Sequence, residues 1–328
     1  VFPGMAYFLK RFSHMLFVLW AVATILFFMF RTMPGTPLAA FIDNTTTAEQ
    51  QDALIRQFGL DKSLGEQYWL FLTNLMQGDL GQSFFFKKPV VEVVMEVFPN
   101  SVILTLTSLI VAYLFGIMVG AYLAWRRGSW VEGLGIPLVL TTRAAPEFWL
   151  GMVLLAFFSF HLGWFPSGGA NTSGSDWTSS WQRVTSLDYL SHLALPAITL
   201  AIYLHGLPLL LMRSNMLNVL QEEFITMARM KGLSTWTIVI RHAARNALLP
   251  VATSFALGIG GAVGGNVVVE TVFSWPGIGR LLVNAVSASD YPLAQGAFLM
   301  ITAVLVVMNF IADVSYNLLD PRVRVETR

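Results

Sequence analysis

Long apolar runs separated by short polar breaks set the pattern of the chain. A helix needs roughly 20 apolar residues to cross about 30 Å of hydrocarbon, and the runs 12–30, 102–125, 193–212, 247–269 and 293–312 all reach that length. A further run, 133–165, is interrupted by Arg143-Ala-Ala-Pro146-Glu147. Its first part is too short to span alone, so the pattern predicts one long helix kinked at Pro146. The expectation is an all-α integral membrane protein with six spans. Residues 1–30 form the N-terminus and first span, and 101–328 a five-span core.

Between 31 and 100 the periodicity changes to short amphipathic stretches. Thr47 with Gln50 reads as a capping box ahead of Leu54, Ile55 and Phe58, with Gly59 closing the turn. Ser63 with Glu66 starts a second helix, whose Tyr68, Leu72, Leu75 and Met76 face one way before Gly78. A third, "PVVEVVMEVFP", is expected to be short and amphipathic. The region is either an interfacial scaffold or a docking surface for an extracytoplasmic partner.

Basic residues orient the spans. With the N-terminus inside, the short inner segments hold Lys10, Arg11, Arg126, Arg127, Arg213, Arg229, Lys231, Arg241, Arg245, Arg322, Arg324 and Arg328, 12 of the 20 Lys and Arg. Most of those outside lie in the long 31–100 loop, which weighs little in this rule. Both termini are therefore expected to be cytoplasmic. The first run lacks a small-residue cleavage site and is expected to stay as a span. Val1–Gly4 read as an addition ahead of a native start at Met5.

Composition narrows the chemistry. Of 328 residues, 55% are hydrophobic and 12% charged, about half the charge of a soluble domain. The net charge of +1 is spread in small groups, which gives no nucleic-acid footprint. With no cysteine, disulfides, thiolate metal sites and thiol nucleophiles are excluded. No phosphate-cradling G-x-x-x-x-G-K-[ST], H-E-x-x-H, EF-hand loop or G-x-S-x-G occurs. The five histidines, including His205, show no helical ligand spacing. Uphill transport would need an ion gradient or another polypeptide, and no enzymatic activity, cofactor or metal is expected on this chain.

A polar island, "ITMARMKGLSTWTIVIRHAARN", lies between the fourth and fifth runs. The segment up to Lys231 is a good helix, with Arg229 and Lys231 suiting its last turn and Gly232 its C′ position. Ser234 is a natural N-cap for a second helix. The expected apolar side of that helix is Trp236, Ile240, Ala243 and Ala247, with Arg241 and Arg245 together one turn apart. The island is thus a helix–glycine–helix corner, open to two uses: a lipid-headgroup anchor or a contact with another protein.

That corner resembles the cytoplasmic "EAA" loop of ABC-importer permeases, in the variant of the dipeptide/oligopeptide/nickel permease family. "RTMPGTP", "QFGLDKSLGEQYWLFLTNLMQGDLGQSF", "RRGSW", "FWLG", "MARMKG…RHAARNALLP", "VVVETVFSWPGIGRLL" and "LLDPRVR" are similar to family segments, in the same order. The resemblance implies the type I importer permease fold, with a coupling loop over about 213–246. It places Met227, Ala228, Arg229, Lys231, Gly232, Leu233 and Arg241 against an ATPase. It implies a second, similar permease, two cytoplasmic ATPase subunits carrying ATP and Mg, and a periplasmic solute-binding protein. The location implied is the bacterial inner membrane. Thr226, Met227 and Ala228 stand where the general pattern has an acid and two alanines, so no role of the family's glutamate passes to Thr226. Di- and oligopeptides are the expected cargo; glutathione, nickel complexes and oligosaccharides are alternatives.

Arg143, Glu147 and His205 are the candidate path residues, because ionisable groups within spans usually face a bundle interior or cavity. Arg143 and Glu147, one turn apart, either neutralise each other beside the kink or meet a charged or zwitterionic substrate. His205 is more readily a packing residue. Asp313 is expected to cap or pair with tail arginines. Gly258, Gly260, Gly261, Gly264 and Gly265 suit a close helix seam. An ion-gradient transporter using Arg143, Glu147 and His205 as a proton relay is the distant alternative, and it leaves the glycine corner unexplained.

Overall fold

The computed structural model describes residues 3–32, 49, 61–262 and 265–319. The helix expected around Thr47–Gln50 and closing at Gly59, the tail arginines and the side chain of Asp313 lie outside what it describes, as do Gly264 and the packing of Gly260 and Gly261. The described residues are helical apart from turns, an irregular segment over 162–179 and one isolated antiparallel bridge, Gln82 with Pro89. They fall into two compact units: 1–101 with 276–328, and 102–275.

In the first unit, α1 (Pro3–Thr32) packs along α14 (Tyr291–Leu319), and α14 also meets α13 (Ile278–Ser287). Their shared core includes Ala23, Leu26, Phe30, Val94, Leu281 and Leu293. The amphipathic α2 (Leu64–Met76) begins on the expected capping box. The Ser63 hydroxyl accepts from Glu66 N–H at 3.4 Å, and Ser63 N–H donates to the Glu66 carboxylate at 3.0 Å. Those bonds, the backbone one first, hold the Glu66 carboxyl below its ordinary pKa. Tyr68 hydrogen-bonds Thr24 of α1 at 2.7 Å, and Phe71 stacks on Phe27. Met76, expected on the inner stripe, is instead 87% exposed.

The third amphipathic stretch does not stop at Pro99. It continues as α3 (Val90–Trp125), one helix of 36 residues, about 54 Å long at 1.5 Å per residue. The carbonyl that Pro99 leaves unpaired belongs to exposed Met95, where that loss costs least. The next turn is anchored by side chains. Asn100 donates to the Pro276 carbonyl at 2.9 Å, and the Ser101 hydroxyl accepts from Ile278 N–H at 2.8 Å.

In the second unit, α4 (Trp130–Ala144) and α5 (Glu147–Leu154, running on as a π-helical turn Leu155–His161) are not one kinked helix. They meet at a bend of 101°. Ala145 and Pro146 are both extended, because a residue preceding proline is pushed out of the helical region. Beyond the short α6 (Ser180–Thr185), the fourth run is divided at His205 into α7 (Leu187–Leu204) and α8 (Gly206–Val219). The fifth run also falls short of a clean span. α11 (Arg245–Ala262) opens on polar Arg245 and Asn246, and α12 (Val267–Val272) starts afresh behind Asn266. Four described helices are long and apolar enough to cross a membrane, over Phe8–Thr32, Val90–Trp125, Leu187–Leu204 and Tyr291–Ile311. The bent pair makes a fifth if counted as one span. That is fewer than the six read from hydropathy, because the fifth run is polar at its start and broken near its end.

Candidate functional site

The corner is built as its sequence demands. α9 (Glu223–Met230) ends with Lys231 as C-cap and Gly232 at φ +73°. Gly232 N–H donates to the Arg229 carbonyl at 2.9 Å and Leu233 N–H to the Ala228 carbonyl at 3.3 Å, the paired bonds of a Schellman motif. Ser234 then caps α10 (Thr235–Thr237), its hydroxyl accepting from Thr237 N–H at 3.3 Å. Ile225 and Ala228 are the buried residues of α9. They sit in a core with Tyr113 and Ala124 of α3, Met212 and Met216 of α8, and Ala243 and Val251. This explains which small residue of the motif is kept: Ala228 has no room, whereas Thr226 points outward.

The second arm departs from the expected face. Residues Ile238–Ala244 form a π-helical segment, whose i→i+5 bonding widens the spiral. Ile238, Val239, Ala243 and Ala247 turn inward, while Trp236 is 65% and Ile240 46% exposed. Wider turns also take Arg241 and Arg245 out of simple α-helical register. With Met227, Met230 and Leu233, Trp236 and Ile240 leave the corner with an exposed, largely apolar face edged by Arg229, Lys231 and Arg241. Behind it lies a cavity of about 480 Å³, lined in part by Trp125, Arg127, Leu220, Arg229, Leu233 and Val239.

Glu132 was not among the residues singled out in the sequence, although Ser129-Trp-Val-Glu132 carries a capping-box signature. Its carboxylate accepts from Gly128 N–H at 2.7 Å and from Arg213 Nε at 2.9 Å. It thereby ties the "RRGSW" turn to α8. The turn sits beside aromatic Tyr122 and Trp125, over which the Arg126 guanidinium lies.

The path candidates do not form one cluster. Arg143 and Glu147 make no ion pair across the bend. The stem of Arg143 lies on Gly206, where an added Cβ would come 3.0 Å from its Cδ. Glu147 instead accepts from the side-chain amide of Asn266 at 2.6 Å. Asn266, a second residue absent from the sequence-based set, also caps α12 by accepting from Val269 N–H at 2.8 Å. Its own N–H donates to the wholly buried Glu270 at 3.3 Å. His205 is buried, its Nδ1–H donating to the Ile202 carbonyl and its ring edge-on to Phe115. Gly258 fits the seam role by packing on Leu109 of α3. Tighter seams lie at Gly116 and Gly120 of α3, whose added Cβ atoms would meet α8 backbone at 3.0 and 2.4 Å. Among the described residues, no three His, Asp or Glu side chains gather as a metal site.

Comparison with known proteins fits this architecture. Residues 116–325 match the family described as binding-protein-dependent transport system inner membrane component, and 5–105 match the N-terminal family of such membrane components. The chain is 38% identical over 319 residues to the glutathione transport system permease protein GsiC of Salmonella paratyphi A, covering 97% of this chain and 98% of the relative. It is 33% identical over 318 residues to GsiC of Escherichia coli (strain K12), again covering 97% and 98%. An inward-facing structure of the MetNI methionine ABC transporter superposes with a TM-score of 0.50 at 14% identity, covering 70% of this chain and 97% of that one. That likeness shows the fold: an all-α, multi-span permease related to type I ABC importers. Matches along nearly the whole length, to families of transport membrane components and to permease proteins, leave one conclusion: the chain belongs to the inner-membrane components of binding-protein-dependent transport systems, as a non-enzymatic permease subunit of an ABC importer of the peptide/nickel family.

Proposed function

We propose that this permease carries glutathione. The observation that supports this cargo is identity of 33 to 38% along almost the full chain to permease proteins named for glutathione transport, in Salmonella and Escherichia alike. Glutathione is itself a small, modified tripeptide, so this reading narrows the di- and oligopeptide expectation and takes its place. The chain works as one of two permeases, with two ATPase subunits and a periplasmic binding protein, in the inner membrane with both termini inside.

The glycine corner is the ATPase-coupling element. Its buried arm, through Ile225 and Ala228, transmits motion to α3 and α8, and its exposed Met227, Met230, Leu233 and Trp236 face the partner. Such a patch of large apolar side chains, on a turn closed by its own hydrogen bonds, is what an interface core requires. ATP and Mg belong to the ATPases, and the residues here only receive and convey the movement.

The cargo is tested with the co-encoded subunits in proteoliposomes, following uptake of labelled glutathione against labelled dipeptides. ATP-dependent accumulation of glutathione, not displaced by excess dipeptide, is expected. Dipeptide accumulation without glutathione accumulation would return the assignment to peptides.

A further inference from the structure

We infer that Arg143 and Glu147 form a two-signed recognition site on the transport path: the Glu147 carboxylate receives an ammonium group of the cargo and the Arg143 guanidinium a carboxylate. This rests on the importer reading above and names how a zwitterionic, peptide-like cargo is held.

Two charges in a membrane-spanning segment normally lower their cost by pairing, and four residues' separation on one helix would permit it. The 101° bend prevents that arrangement. Arg143 closes α4, its stem laid on Gly206 at the α7–α8 break. Glu147 opens α5 and is oriented by the neutral amide of Asn266 at 2.6 Å. Asn266 donates a hydrogen bond to Glu147 but, being an uncharged amide, does not neutralise it. Glu147 is therefore positioned but not compensated, half-buried, with an exposed cation on the other limb of the bend. Lipid expels such groups, so they face protein or an aqueous path. A ligand with both signs satisfies both of them, and peptides and glutathione carry an ammonium and carboxylates in one molecule. All three polar anchors lie where helices break: Ala145–Pro146, His205–Gly206 and Asn266. These are the places where a change between outward and inward states would alter their spacing.

The test uses the full complex in proteoliposomes, with binding protein saturated by each cargo form so that capture does not set the outcome. Uptake is measured for glutathione, its N-acetylated form and its glycine ester. Glu147→Gln is expected to cut the preference for free over blocked amine about tenfold, the scale of a lost charged hydrogen bond, while Glu147→Asp retains it. Arg143→Gln is expected to cut only the preference for free carboxylate over ester. Equal losses for all three forms, or preferences unchanged from wild type, would overturn the proposal in favour of a purely structural pair. Failure of wild type to carry glutathione would count against that cargo alone. The same ratios are then read with a transported dipeptide and its blocked forms.

Discussion

Gly232 shows how one residue decides a corner. Its φ of +73° lies in the left-handed region, and a Cβ added there would meet nothing within 4 Å. Any penalty for substitution is therefore backbone strain rather than collision, roughly 1–2 kcal/mol for an L-residue and more for a β-branched one. Asparagine, which tolerates this region, and valine, which does not, separate the two ideas. Gly232→Asn is expected to keep ATP-driven uptake near wild type. Gly232→Val is expected to reduce uptake per ATP hydrolysed severalfold, as the Schellman bonds of Gly232 and Leu233 are lost. Equal uptake and hydrolysis in the two variants would show that the turn is not what couples them. Ala228, about one turn before that glycine, is buried and so constrained by volume.

Elements test packing rather than conformation. Gly120 places α3 so close to α8 that an added Cβ would lie 2.4 Å from the Leu209 carbonyl oxygen, and Gly116, one turn earlier, is nearly as tight. The spacing is the small-xxx-small pattern that lets helices approach. Gly120→Ala must push backbone from backbone, an overpacking cost of about 1–3 kcal/mol. Gly133→Ala, in α4 with open space around it, is expected to be neutral or to raise helix stability by up to about 1 kcal/mol. Thermal melts of the purified complex check this; equal melting temperatures would mean the seam yields freely. These elements also show what was legible beforehand. Capping chemistry was local, so Ser63 with Glu66 and the Gly232–Ser234 corner could be read directly from the residues. The 101° bend was underestimated because hydropathy reports only burial, while the extended conformation at Ala145 is a backbone consequence of Pro146. The π-helical arm turned Trp236 and Ile240 out of the expected face, while Ala243 and Ala247 stayed in it, because periodicity arguments assume 3.6 residues per turn. Asn266 escaped notice since its partner, Glu147, is 119 positions away in the chain.

At the scale of the whole molecule the open question is which side each loop occupies, and the composition makes it answerable. The chain has no cysteine, so single introduced cysteines report without background. Two exposed positions bracket the proposed topology: Asp61, just before α2, and Gln221, between α8 and α9. If the basic loops are cytoplasmic, the field of charges and the ATPase-facing corner lie on one side, and α2 with its capping box lies on the other. Asp61→Cys in intact spheroplasts is then expected to react with a membrane-impermeant maleimide, while Gln221→Cys reacts only after permeabilisation. The reverse pattern would place the glycine corner outside, where no ATPase could reach it, and would remove the coupling role along with the topology. Labelling of Gln221→Cys in permeabilised cells should also fall when the ATPase subunits are co-expressed, because Met227, Met230 and Trp236 nearby would be covered. Loss of that protection in a Met230→Asp background, with Asp61→Cys still labelled from outside, would locate the ATPase on this face while showing that the chain had inserted normally.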